Sequence, residues 1–339
     1  MKIRKFGLAA LAAVAAVTLA ACSSQAPSGD SGGEQPAADE VIKLRVQSQA
    51  SIAAEPLFIG MEEGFFEEEG LEIEIVDIPD AATAFSALQS NQLDLAFAPT
   101  ISVLQASRQN MPLVMVAPSD GLNPDSAGLP VDEARNFTSS GVYVSKESGI
   151  TDIAGLAGAS IAVPELKSQP DGTITSVLHE AGIETDDIQW QNLGFVPAVA
   201  ALKDGTLDAA FLVSPYTIEA DQAGLKRVMN PSVEFFPPGS ATTAWVGTQS
   251  WVDGNSEAVA RFQRAIAKSA AWANENLTAT QEHVIARADL TITPADMPKS
   301  YWPTEFKMDD LKTVDQKLVD IGFFDGPADL EKLVAPNAN

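Results

Sequence analysis

"ALQSNQLDLAF" (Ala87–Phe97) and "ALKDGTLDAAF" (Ala201–Phe211) both read A-L-x-x-x-x-L-D-x-A-F, without a gap and 114 positions apart. In each, an amphipathic helix ends at a residue that tolerates the left-handed conformation, Asn91 or Gly205. Leu-Asp then leads into a short apolar strand. The match continues upstream. "FFEEEGLEIEIV" (Phe65–Val76) and "LHEAGIETDDIQW" (Leu178–Trp190) each close a helix at a glycine, Gly70 or Gly182, and open a strand. Those glycines precede Asp94 and Asp208 by 24 and 26 residues. Earlier still come a strand, a polar loop and a helix in each copy. The first has Ile42–Gln47 and a helix opened by Pro56; the second has Ser160–Val163 and a helix from Asp171 or Gly172. Two β-α-β-α-β units follow, each requiring a mainly parallel sheet with helices on both faces. The spacing predicts an α/β protein of two lobes.

The stretch between the units sets their limits. Gly141–Ser145 reads as a β-rich strand, and Gly155 to Gly158 as a turn before the second unit. "FFPPGSATTAWVGTQSW" (Phe235–Trp251) combines a Pro-Pro-Gly break with a second β-rich strand. Two strands passing between lobes make a hinge. Ser256–Asn276 and Met308–Ile321 carry helical spacing and are expected to return onto lobe one. Lobe one therefore begins with residues 41–140, and 141–238 supply a hinge strand and lobe two. Residues 239–339 supply the return strand and the C-terminal helices.

The amino-terminal residues bear on compartment. Lys2, Arg4 and Lys5 precede an apolar run from Phe6 to Ala21 that ends at Cys22. This pattern looks like a bacterial lipobox, which implies a signal peptide over 1–21, cleavage before Cys22 and lipidation of its thiol. Cys22 is the single cysteine, which excludes an internal disulfide. Residues 22–40 are Ser, Gly, Pro, Ala, Gln and acid with no apolar pattern, the composition of a flexible tether. The expected product is extracytoplasmic, monomeric and held to the membrane through its lipid alone. Removing residues 1–21 takes away three bases and no acid, moving the formal charge from −25 to −28. So negative a chain is a poor partner for nucleic acid or anionic lipid.

"GMEEGFFEEEGLEIEIVD" (Gly60–Asp77) holds seven glutamates. It lacks the D-x-[DN]-x-[DN]-G order of a calcium loop. Leu71, Ile73 and Ile75 alternate with Glu72, Glu74 and Val76, as in a strand near a sheet edge, so the glutamates are expected to form a solvated rim.

In parallel α/β sheets, ligands bind beyond the carboxyl ends of strands. Lobe one offers Ser48, Gln49, Ser51 and Ile52, then Asp80 and Thr83, then Pro99, Thr100 and Ser102. Lobe two offers Lys167, Ser168, Gln169, Asp171 and Thr173, then Phe195, then Ser214, Pro215 and Tyr216. Trp245, on the return strand, could stack on a ligand or pack in the core. Backbone N–H groups at helix starts would suit an anionic head group. Signs of catalysis are scarce. His179 and His283 stand alone in helical patterns, and neither a nucleophile elbow nor a phosphate loop occurs. Neither cofactor nor metal is expected.

"EPLFIGMEEGFFEEEGLEIEI", "ALQSNQLDLAFA", "KESGITDIAGLAGASIAVPELKS" and "ALKDGTLDAAFLVSPY" together resemble the solute-binding proteins of nitrate, sulfonate and taurine-type ABC transporters. The related pyrimidine-precursor binders, the NMT1/THI5-like proteins, share the pattern. The resemblance implies a type II periplasmic-binding-protein fold whose two lobes close on a small organic molecule, with binding positions carried over to the Gln49–Ser51 loop, Ala98–Thr100, Lys167–Ser168 and Pro215-Tyr216. It implies delivery to an ABC permease with its ATPase, and no enzymatic activity. An extracellular enzyme or a ligand-sensing lipoprotein on the same fold is the alternative. The chain departs from the family in two loops. "ELKSQPDG" stands where a small-residue run is usual, and Ser214 stands where an acid usually precedes Pro-Tyr. No arginine falls in an expected cleft loop, and Lys167 is the lone base. The expected ligand is a small organic molecule whose identity and charge the sequence leaves open, with sulfonates, carboxylates and pyrimidine-like or aromatic compounds as the candidates.

Overall fold

The computed structural model describes residues 41–48, 51–78 and 81–337. The expected signal peptide, Cys22, the expected tether, Gln49 and Asp80 lie outside the described residues. The chain enters through β1 (Ile42–Gln47), α1 (Glu55–Glu62), α2 (Phe65–Glu68), β2 (Leu71–Val76), α3 (Ala81–Gln89), β3 (Leu95–Pro99), α4 (Thr100–Arg108) and β4 (Leu113–Pro118). A crossing segment bearing α5 (Val131–Ala134) leads to β5 (Ser140–Val144) and β6 (Ser160–Val163). From there α6 (Gln169–Glu180), β7 (Gln189–Asn192), α7 (Phe195–Lys203), β8 (Ala209–Val213), α8 (Tyr216–Gln222) and β9 (Lys226–Met229) follow. A second crossing with α9 (Pro231–Phe235) returns the chain to β10 (Thr243–Thr248). The helices α10 (Gln249–Gly254), α11 (Ser256–Glu275), α12 (Leu277–Arg287), α13 (Met308–Asp320) and α14 (Leu330–Leu333) complete the fold.

The two sheets share one plan. Their strand orders are β2-β1-β3-β10-β4 and β7-β6-β8-β5-β9. In each, the fourth strand is the antiparallel one, and it lies next to a crossing: β10 follows the excursion through lobe two, and β5 precedes β6. This is why the sequence repeat covers only three strands per lobe. The fourth strand sits last in one copy and first in the other.

The repeated Leu-Asp has one physical job in both lobes. The Asp94 carboxylate accepts the Arg45 backbone N–H at 2.8 Å and also holds the Arg45 guanidinium. The Asp208 carboxylate accepts the Ser160 N–H at 2.8 Å and its hydroxyl at 2.7 Å. One residue later the parallel pairing begins, Val46 with Leu95 and Ile161 with Ala209. Each aspartate thus satisfies an N–H before the ladder does and sets the register of the central strand. The residues before them adopt the left-handed conformation as expected, Asn91 at φ 54° and Gly205 at φ 67°.

Phe65 and Phe66 are buried, and β2 is the edge strand of its sheet. The glutamates form the expected solvated rim: Glu62, Glu63, Glu67, Glu68, Glu72 and Glu74 are exposed, and Glu69 alone is half-buried. Several of them make surface pairs. Glu69 pairs with Arg264 at 2.7 Å, Glu68 pairs with Lys268, and Glu72 pairs with Lys43 at 2.8 Å. His283 meets Glu62 at 3.0 Å. Glu68 and Glu69 meet bases of α11 because that helix lies across α1 and α2.

Apolar clusters cover both faces of each sheet. Leu44, Phe97, Trp245 and Phe262 belong to the one that α11 closes. Another continuous cluster includes residues of both sheets, Met115 and Ile161 among them, with Leu311, Val314 and Leu318 of α13. α13 is tied to lobe one through Asp315 and Arg108, and to lobe two through Lys317, which reaches Glu180 and the Phe235 carbonyl. Return of the C-terminal helices to lobe one thus describes α11 and α12, whereas α13 touches both lobes.

Candidate functional site

The pairing register gathers strand ends at one edge of the first sheet. Pro99 of β3 stands opposite Thr243, and Pro118 of β4 stands opposite Ala244, so the ends of β3 and β4 flank the start of β10. Hydrogen bonds then sew four segments together. The Thr100 N–H donates to the Thr242 carbonyl at 2.9 Å, and the Thr100 hydroxyl reaches the Ala241 carbonyl at 3.3 Å. The Asp120 N–H donates to the Thr243 hydroxyl at 2.8 Å, and the Ser119 hydroxyl donates to the Ala53 carbonyl at 2.9 Å. The Trp302 indole N–H donates to the Ile52 carbonyl at 3.1 Å, and the Gly121 N–H to the Tyr301 carbonyl at 3.0 Å.

Asp120 is the charged member of this bay. It is half-buried, and its carboxylate accepts the Thr242 hydroxyl at 3.0 Å. Burial pushes the carboxyl up from its ordinary 3.8 to about 7, although the Thr242 hydroxyl and the Gly121 N–H both favour the charged form. Among the described residues no lysine or arginine forms an ion pair with it. Two nearby hydroxyls, those of Ser51 and Ser240, are buried without a hydrogen-bond partner. Asp120, Ser119, Thr242 and Tyr301 escaped the sequence reading. The apolar run Leu113–Pro118 followed by Ser119-Asp120 was the available signal, the same strand-then-polar pattern that marks the other loops.

The expected residues fall into three groups. Ser51, Ile52 and Pro99 are partly exposed at the strand ends, with Ser48 buried beside them. Phe195 and Tyr216 stack with ring centroids 5.3 Å apart and an interplanar angle of 28°. Both are partly exposed, Ser214 is too, and Val196 is 65% exposed. Lys167 is exposed and held at φ 56°. The third group is buried. Ala98 lies within the β3 ladder, the Thr100 hydroxyl is engaged, and the Ser168 hydroxyl donates to the Glu165 carbonyl at 2.6 Å. Trp245 is a core residue rather than a stacking surface. It is fully buried, with Phe97 and Phe262 at 5.7 and 5.9 Å between ring centroids. The alternation of β10 puts its side chain on the α11 side of the sheet.

The expectation of free N–H groups at helix starts is also corrected at α6. The Asp171 carboxylate accepts the N–H groups of Lys167 and Ser168, each at 2.7 Å, and that of Gly172 at 3.1 Å. An anionic group from the chain itself already fills the place an anionic ligand would take. Burial raises the Asp171 carboxyl above its ordinary range. Among the described residues, no group of three or more His, Cys, Asp or Glu could hold a metal ion.

The fold is shared with known binding proteins. SsuA of Escherichia coli, a periplasmic aliphatic sulphonate-binding protein, is similar in structure at a TM-score of 0.68 and 16% identity, over 87% of this chain and 92% of that one. The alkanesulfonate-binding SsuA of Xanthomonas axonopodis pv. citri, solved bound to MOPS, is similar at 0.67 and 16%, over 88% and 99%. The fold is thus the two-lobed periplasmic-binding-protein fold. In sequence, a putative aliphatic sulfonates-binding protein of Bacillus subtilis is 26% identical over 279 residues, 80% of this chain and 75% of that protein. The chain belongs to the NMT1-like family, whose model matches residues 37–288.

Proposed function

We propose that this protein is the extracytoplasmic solute-binding component of an ABC importer, capturing a small organic molecule between its lobes and presenting it to a permease and its ATPase. The observation that carries the reading is the exchange of antiparallel strands. Each lobe takes its fourth strand from beside a crossing, so two segments connect two sheets of identical plan. Two parallel connections permit a hinge motion while restraining other displacements. A ligand touching both lobes shifts the population toward the closed form, and closure is what a transporter can read.

The division into lobes at 41–140, 141–238 and 239–339 is part of this reading, as is anchorage through a lipidated Cys22 on a flexible tether. The protein acts as a monomer. Binding residues on lobe one are Ser51, Ile52 and Pro99, joined by Asp120. On lobe two they are Lys167, Ser214 and the Phe195–Tyr216 pair, whose stacked rings offer an apolar wall to a flat ligand. The relatives named above are binding proteins, which supports a role without turnover. Native mass spectrometry of freshly purified protein, followed by thermal-shift assays on sulfonates, carboxylates, aromatic acids, amines and pyrimidines, tests the reading. It expects one class to raise the melting temperature in a dose-dependent way. Chemical conversion of a bound compound would contradict it.

A further inference from the structure

The strand-end edge of lobe one carries a half-buried carboxylate, Asp120, with no cationic partner among the described residues. We propose that the captured solute bears a protonated amine or amidine-type nitrogen, and that Asp120 is the group on lobe one that receives it. This rests on the solute-binding reading above and specifies its ligand class.

Four observations converge. First, Asp120 sits at the end of β4, next to the start of β10 and one residue from the Ser119 contact with the Ala53 carbonyl, so three segments of the strand-end edge meet around it. Second, among the described residues it has no cationic partner, although it is half-buried; a carboxylate in that setting is under-compensated, and burial holds its proton on to about pH 7. Third, the Thr242 hydroxyl already directs a hydrogen at the carboxylate. One donor leaves the charge under-compensated, and an incoming cation would complete its partners. Fourth, the start of α6, one of the places that could hold an anion, is closed. Asp171 takes the N–H groups opening α6, and no arginine lies in the expected cleft loops.

Gly121 explains why this carboxylate stays where it is. A Cβ at position 121 would come 2.6 Å from the Ser240 carbonyl and 2.7 Å from Pro303 Cδ, so the backbone after Asp120 is clamped between two segments. Asp120 is a rigid acceptor on the sheet edge rather than a side chain on a free loop. The charge-assisted pair it would form with an ammonium group is stronger than a neutral hydrogen bond and directional.

The test uses matched probes that differ in the ammonium group. Taurine is compared with ethanesulfonate, and 2-phenylethylamine with 3-phenylpropionate, by calorimetry on the wild-type protein and on Asp120→Asn. In at least one pair the ammonium member should bind about tenfold or more tightly than its anionic counterpart, and Asp120→Asn should erase that preference. A purely structural role for Asp120 would weaken all four probes together and lower the melting temperature. The proposal instead confines the loss to the ammonium members, with the variant melting at or above the wild type at pH 8. Equal binding within both pairs overturns the proposal, as does an Asp120→Asn variant that keeps the preference. Lobe closure on an anionic probe that binds at least as tightly as its ammonium counterpart would leave solute capture standing while removing the amine assignment. Silence of all four probes at about 10 mM would count against both.

Discussion

Replacing Asp120 by Asn should stabilise the ligand-free protein, and only at the upper end of the pH range. In the folded chain the carboxyl titrates near 7 rather than at its ordinary 3.8. Below about pH 4 the group is protonated in both folded and unfolded chains, so it contributes no difference. Between about 4 and 7 the unfolded chain releases the proton and the folded chain keeps it, so the folded state loses stability as pH rises. Above 7 both are ionised and the cost is constant. Three pKa units at about 1.4 kcal/mol each set a ceiling of about 4 kcal/mol. The carboxylate is partly exposed and bonded to Thr242, which reduces the effect to about 2 kcal/mol. Asn keeps the shape and a carbonyl oxygen for the Thr242 hydroxyl while removing the charge. Urea unfolding followed by tryptophan fluorescence at pH 4.5, 6 and 8 measures the difference between variant and wild type. Asp171 and Glu234, which burial also raises, are common to both proteins and cancel in that difference. The variant should be near neutral at pH 4.5 and more stable by about 2 kcal/mol at pH 8. A difference that does not change with pH would refute the reasoning.

Three further outcomes follow from particular contacts. Asp94→Ala and Asp208→Ala should each destabilise their lobe by about 1–3 kcal/mol in urea unfolding, since each leaves the N–H of Arg45 or Ser160 without its partner. A silent member of that pair would show that the repeat has no common physical basis. Glu55 is fully buried against Arg287, so Glu55→Gln should cost about 3 kcal/mol by leaving the guanidinium under-compensated; an unchanged melting temperature would contradict this. Cys22→Ser should move the protein from the membrane fraction to the soluble extracytoplasmic fraction on cell fractionation, with solute binding intact.

The parts of the fold visible in the sequence were those set by local chemistry. Asn91, Gly205, Gly70 and Gly182 end helices because the backbone turns left-handed there, and that requirement is written in one residue. Asp94 and Asp208 stood out because the same strand junction occurs twice. What stayed hidden depended on segments far apart in the chain. Glu69 reads as a solvated glutamate until Arg264, 195 residues later, lies across it. Trp245 reads as a cleft residue until Phe262 of α11 covers it. Asp120 carries no local mark because Thr242, which holds it, arrives just ahead of β10 from beyond lobe two, 122 residues away. Asp171 was legible as part of a helix start, but its occupation of the N–H groups required the turn that places Lys167 at positive φ. Local codes thus disclosed the plan of the lobes, and the long crossing between them concealed the site chemistry.

A small solute is expected to draw the two lobes together. Small-angle scattering of the purified protein, with and without a saturating compound identified by thermal shift, measures this directly. The radius of gyration should fall on binding, with the change centred at the concentration where half the protein is bound. A tightly bound compound that leaves the scattering profile unchanged would contradict it.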